Sequence, residues 1–181
     1  MAEEQALSKE QQLWKASTDG DLEKVNLLAG DETVDVNWVG EDRLDTSLHR
    51  ACRFRHLEIV KVMLAHPKIE VNKGNKGDAS PFFIVCQERH MEVVSLLLAD
   101  QRIDPNKPKK NGTTPFFMAS HDGHKEVVSL LLADPRIDIT CQAHSGETAL
   151  EAAFRNGHIN IGRDLLKLRK FESHHPSLES I

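Results

Sequence analysis

No apolar run in this sequence approaches the length that crosses a bilayer. Runs such as Leu96 to Ala99 amount to about one helical turn where a span takes about 20 residues. Cysteine is scarce and odd in number, and Cys52, Cys86 and Cys141 are unlike the framework of a disulfide-stapled secreted domain. Basic excess is missing too: 23 Lys and Arg stand against 28 Asp and Glu, a net of −5, which argues against nucleic acid as partner. The opening Met1-Ala-Glu-Glu-Gln is acidic where a signal or transit peptide would be basic. No G-x-S-x-G, P-loop, G-x-G-x-x-G or H-E-x-x-H pattern occurs, so neither an enzyme nor a cofactor is expected. The remaining composition, 39% hydrophobic and 28% charged over 181 residues, suits one globular domain or a short repeat array. The expected setting is a reducing compartment, the cytoplasm or the nucleus.

A fixed period organises the chain. Leu96-Leu97-Leu98-Ala99-Asp100 recurs 34 residues later as Leu130-Leu131-Leu132-Ala133-Asp134. Ser80-Pro81-Phe82-Phe83 recurs at that offset as Thr114-Pro115-Phe116-Phe117, and the same step lands on Thr46-Ser47-Leu48-His49 and Thr148-Ala149-Leu150-Glu151. Arg55-His56, Arg89-His90, Gly123-His124 and Gly157-His158 form an independent column. Val71-Asn72 and Pro105-Asn106 form another, with Ile139-Thr140 as its degraded copy. A further unit, from Asp19-Gly20-Asp21 to Asp35-Val36-Asn37, precedes these at an offset of 35, its additional residue falling between Asn37 and Thr46.

Each unit is expected to hold two short helices and an extended finger. Thr46, Ser80, Thr114 and Thr148 are N-cap types, Pro81 and Pro115 then fit the first helical position, and Thr148 with Glu151 and Ser8 with Gln11 make capping boxes. Gly123 and Gly157 supply a left-handed stop. The second helix is apolar over most of its circumference, as in Val93, Val94, Leu96, Leu97 and Leu98. Helices of two or three turns are marginal alone in water, so neighbouring units must hold them. The expected fold class is an all-α repeat solenoid. Its units are about 11–41, 42–75, 76–109, 110–143 and 144–170, after a lead-in of 1–10 and before a tail, 171–181, whose Ser-Pro-His composition predicts flexibility. The end units turn polar, as terminal repeats must. Lys24 stands where inner units carry Ile59, Val93 and Val127, and Gly162, Arg163 and Asp164 replace the Val94-Ser95-Leu96 column.

The stretch from Thr114 to Leu132 reads T-P-F-F-x-A-S-x-x-G-H-x-E-V-V-x-L-L-L and resembles the ankyrin repeat, with its T-P-L-H-x-A and G-H hallmarks. The resemblance covers residues 11–170 and implies a right-handed ankyrin-type solenoid with projecting hairpin or loop fingers and a concave binding surface. Two departures stand out. The fourth motif position is His only at His49 and is Phe83, Phe117 and Glu151 elsewhere, so aromatic packing partly replaces the family's Thr–His network. Leu44 occupies the place of Gly112 and Gly146, and Gly77 precedes Asp78 one position off, which leaves two finger turns open.

The residues able to carry chemistry have structural explanations. His56, His90, His124 and His158 recur in phase, and side chains one repeat apart are too far apart to chelate one ion; hydrogen bonds between adjacent units are expected, and no metal. Cys52 and Cys86 lie in a small-residue column with Ser120 and Phe154, as buried hydrophobes do. The pairs Phe82-Phe83 and Phe116-Phe117 read as core, although the second of each pair also suits ligand stacking. Trp38, in the longer finger, reads equally as a partner hot spot or as a cover for the first unit.

The expected function is therefore non-enzymatic binding of another protein by a monomer, through finger tips and the inner helices. By the repeat register the contact positions are Trp38, Asp42, Arg43 and Asp45 on the first finger, with Arg53 behind it. Lys76 and Ala79 follow with Gln87; then Lys110, Asn111 and Thr113 with His121 and Asp122; then His144, Ser145 and Glu147 with Arg155. Residues 1–35 carry 9 acids and 3 bases, while Lys107, Lys109 and Lys110, and Arg50, Arg53 and Arg55, form clusters suited to an acidic partner segment. Similar short ankyrin proteins imply an alternative as stoichiometric inhibitor or substrate adaptor. Leu64…Glu70-Val71-Asn72 is also similar to the pattern of family asparagines that are hydroxylated.

Overall fold

A computed structural model describes residues 6–174, with side chains as far as Leu168. Ten helices and no strand make up these described residues. They come in pairs: α1 (Lys9–Asp19) with α2 (Leu22–Ala29), α3 (Ser47–Arg53) with α4 (Leu57–Ala65), and α5 (Pro81–Gln87) with α6 (Met91–Ala99). The last two pairs are α7 (Pro115–His121) with α8 (Lys125–Leu132), and α9 (Ala149–Arg155) with α10 (Ile159–His174).

The expected caps form. Thr46, Ser80, Thr114 and Thr148 accept the backbone N–H three residues on, and Pro81 and Pro115 open their helices. Ser8 and Gln11 close a capping box, so α1 starts at Lys9, two residues inside the expected lead-in. At the other end α10 continues past residue 170 to His174, which shortens the expected tail; residues 175–181 lie outside the described residues. Between paired helices one residue must take a left-handed conformation. Gly20, Gly123 and Gly157 do so at φ near +80°, and Arg55 and Arg89 do so at 59° and 58° despite their side chains.

First helices α1, α3, α5, α7 and α9 pack each on the next, and second helices α2, α4, α6, α8 and α10 form a parallel row behind them. One continuous apolar cluster runs through both rows, from Leu13 to Leu165, with Val94 and Val128 buried. The end units expose what inner ones bury: Lys24 replaces buried Ile59, and Leu27 is 74% exposed. At the far end Gly162 replaces the inner valines and receives the ring of Phe154, whose atoms would lie 2.7 Å from a Cβ there.

Three polar ladders tie unit to unit. His56, His90 and His124 each donate Nε2–H to a carbonyl of the preceding unit: Thr18 (2.9 Å), Arg53 (2.9 Å) and Gln87 (2.8 Å). Asn37, Asn72 and Asn106 reach forward, each donating to one carbonyl and accepting from one N–H of the next unit. Arg102 and Arg136 reach back to the last carbonyls of α4 and α6, at Leu64 (2.7 Å) and Leu98 (2.5 Å), while Asp100 and Asp134 hold their guanidiniums. These arginines neutralise helix C-termini where no glycine closes the helix.

Candidate interaction face

The fingers are tight turns in which one residue is left-handed. Asp78 N–H donates to Asn75 O, Gly112 to Lys109 O, and Gly146 to Ala143 O, each a three-residue step. The first finger absorbs its additional residue by widening that step: Leu44 N–H reaches Gly40 O, four residues back. Leu44 and Asp78 thus keep the geometry of the glycine column, at φ 54° and 62°. Of the expected hairpin or loop fingers, two carry a single bridge at the base, Val39 to Thr46 and Gln142 to Thr148.

The next residue closes the base of each finger. Gly40 N–H donates to Asp45 O, Asn75 to Ala79 O, Lys109 to Thr113 O and Ala143 to Glu147 O, which turns those four side chains towards the inner helices. Asp45, Ala79 and Thr113 are therefore buried, against the expectation that a partner would meet them. Glu147 is also drawn inward and pairs with Arg155 at 3.0 Å. Asp45, 1% exposed, is an internal hub. It accepts from the Asn75 amide at 2.8 Å, lies 3.7 Å from Arg50 and 3.8 Å from Arg53, and its carbonyl accepts the Trp14 indole N–H at 2.8 Å.

The other predicted positions do stand together. Asp42, Lys76, Lys110 and His144 form one exposed column of finger tips, and Arg43, Asn111 and Ser145 another beside it. Arg53, Gln87, His121 and Arg155 line up behind them at the ends of the inner helices. Asp122 is half-buried and bonds His121 Nδ1 at 2.7 Å. The finger tips are joined backbone to backbone: Lys76 N–H donates to Arg43 O (2.8 Å), Lys110 to Gly77 O (3.0 Å) and His144 to Asn111 O (3.0 Å).

Two depressions open on this face. One, of about 430 Å³, is lined by Arg43, Arg53, Lys76, Gln87 and Lys109 over a floor that includes Ala79 and Ile84. The other, of about 400 Å³, sits at the N-terminal end between Trp14 and Trp38, rimmed by Asp19, Glu41 and Asp42. Half-buried Trp38 lines this second depression beside Trp14, whose ring lies against Gly40. The sequence reading passed over Trp14. Its signal was the repeat register, which sets Trp14 in the column of His49, Phe83 and Phe117 on the later inner helices.

The basic clusters divide on inspection. Arg50 is clamped between Trp14 and Phe54 rings at 4.5 and 4.8 Å, Arg55 pairs with Glu92, and Lys107 pairs with Asp78. The half-buried Lys109 lies over the Phe83 ring, 4.9 Å from its centroid, and lines the first depression. Phe82, Phe83, Phe116 and Phe117 are all buried, as core side chains. Burial pushes the thiols of Cys52 and Cys86 far up, and burial with the Asp138 carboxylate pushes Cys141 up to about 11, so none is a ready nucleophile. Among the described residues no three His, Cys, Asp or Glu side chains converge as a metal site would require, and no helix is long and apolar enough to cross a membrane.

Stacked helix pairs of one period, with a row of joined finger tips, define a helical repeat protein. The family model for ankyrin repeats in three copies matches residues 13–109 and again 82–174, and the chain belongs to the ankyrin-repeat family. A comparison with curated proteins gives no match. Ankyrin repeats in general are protein–protein interaction modules, and the family is typically non-catalytic.

Proposed function

We propose that this chain is a non-enzymatic binding module that holds another protein on the face made by finger tips and inner-helix ends. The observation that carries this reading is the backbone ladder from Arg43 through Lys76, Gly77, Lys110 and Asn111 to His144. It fixes the exposed side chains in register before any partner arrives, so little ordering entropy opposes binding. The module acts as a monomer, in the cytoplasm or nucleus, with no cofactor. Whether capture blocks an active site or delivers a substrate depends on the partner; an activity assay on the captured protein separates inhibitor from adaptor.

Asparagine hydroxylation gains no support from the fold. The Asn72 amide donates to Arg102 O at 2.6 Å and accepts from Asp104 N–H at 2.9 Å, so a hydroxylase would have to pull that loop away first.

The test is a paired scan. Changes at Lys76, Lys110, Gln87 and His144 should leave the thermal midpoint within about 2 °C of wild type and abolish partner capture. Capture that survives all of them places binding elsewhere.

A further inference from the structure

We infer that the depression between the first three fingers takes a short acidic segment of the partner protein. This rests on the reading of the face as a binding surface and adds the chemistry of what is bound.

Charge balance points to an anion. Among the described residues Arg43, Lys76, Lys109 and Lys110 make no ion pair, and they crowd three consecutive finger tips. Apart from exposed Asp42, which neighbours Arg43 on the first finger tip, the nearby carboxylates are engaged. Asp45 and Glu88 both lie near Arg53, at 3.8 and 3.3 Å, and Asp78 pairs with Lys107 at 3.3 Å. Arg53 itself is short of acceptors, since its buried Nε–H has no hydrogen-bond partner. A carboxylate entering the depression therefore meets several unpaired cations without displacing an existing pair.

Size and long-range charge select a short protein segment over a polyanion. The space is about 430 Å³, enough for a few side chains. Its floor of Ala79 and Ile84 belongs to a small apolar cluster with Phe83, and so accepts an aliphatic side chain beside the acidic ones. The whole chain carries −5, with 9 acids against 3 bases in residues 1–35, so a long polyanion leaving the depression towards the first unit would be repelled.

The test pans phage-displayed random dodecapeptides on the full chain and measures the recovered peptides by fluorescence anisotropy. Recovered sequences should be rich in Asp and Glu, and their binding should weaken as salt rises. The Arg43→Glu, Lys76→Glu double variant should bind them at least about tenfold more weakly. It should keep the wild-type thermal midpoint, because neither side chain has a partner to lose. Neutral or basic peptides that are lost on changing Gln87 or His121 would overturn the acidic-segment inference and leave the binding face standing. Peptides indifferent to every change on fingers and inner helices would overturn both. A single-stranded RNA oligomer bound more tightly than the acidic peptides would overturn the inference in favour of nucleic acid.

Discussion

Replacing Gly123 with Ala and, separately, Gly157 with Ala isolates how tightly one repeat unit sits on the next. The two positions are equivalent in the repeat, at φ 78° and 80°. A Cβ on Gly157 meets nothing within 4 Å. The loss there is the left-handed backbone penalty less the entropy removed from the unfolded chain, about 1 kcal/mol. A Cβ on Gly123 would lie 2.4 Å from Cε1 and 2.5 Å from Nδ1 of His158, on the following unit. That imidazole must swing out of its contact, and such overpacking adds about 1–3 kcal/mol. In a chain of this size each kcal/mol moves the melting midpoint by about 2–4 °C. Far-ultraviolet circular dichroism should therefore show a loss at Gly123→Ala at least about twice that at Gly157→Ala. Adding His158→Ala should restore most of the difference. Equal losses, or no recovery in the double variant, would refute the claim that the histidine column packs on the preceding unit's turn.

Other perturbations separate the core, the hub and the titrating groups. Leu131→Asp sets an unpaired carboxylate in the buried row between α6 and α10 and should abolish the cooperative melt; a retained melt would mean that the row relaxes to let water in. Asp45→Ala leaves Arg50, Arg53 and the Asn75 amide without their shared acceptor and should lower stability by about 1–3 kcal/mol in denaturant titration, against about 0.5 kcal/mol or less for exposed Asp42→Ala. Burial holds the His49 imidazole below its ordinary pKa, and only part of that is recovered by its bond to Ala79 O. Below about pH 6.5 the unfolded chain gains a proton that the folded one refuses, so stability falls as pH drops, by at most about 1.4 kcal/mol per pH unit. His49→Phe, the residue type at positions 83 and 117, should flatten that stretch of the curve; an unchanged slope would count against the buried neutral ring.

Much of the fold was legible because it is written many times over. A period of 34 needs only matching columns, and the caps at Thr46, Ser80, Thr114 and Thr148 follow from local backbone chemistry. The missed features depend on contacts between units. The motif Asp100-Gln101-Arg102, repeated as Asp134-Pro135-Arg136, was visible as a column, but its carbonyl acceptors lie on the preceding unit. Leu44 and Asp78 hide a turn that glycine would have announced, because the surrounding hydrogen bonds force the left-handed conformation on them. The candidate face was read one column too wide. The repeat register groups Asp45, Ala79 and Thr113 with the contact positions, and the backbone pair at the finger base turns them in instead. Trp14 went unread for a related reason: its role depends on Arg50 and Asp45, both distant in sequence.

The most direct test of the whole account is hydrogen–deuterium exchange on the full chain, free and saturated with a bound partner. Slowed exchange should concentrate at the finger tips, residues 42–44, 76–78 and 109–112, and at the ends of α3, α5 and α7 behind them. Protection falling instead on the outer surfaces of α4, α6 and α8, with the fingers unchanged, would contradict it.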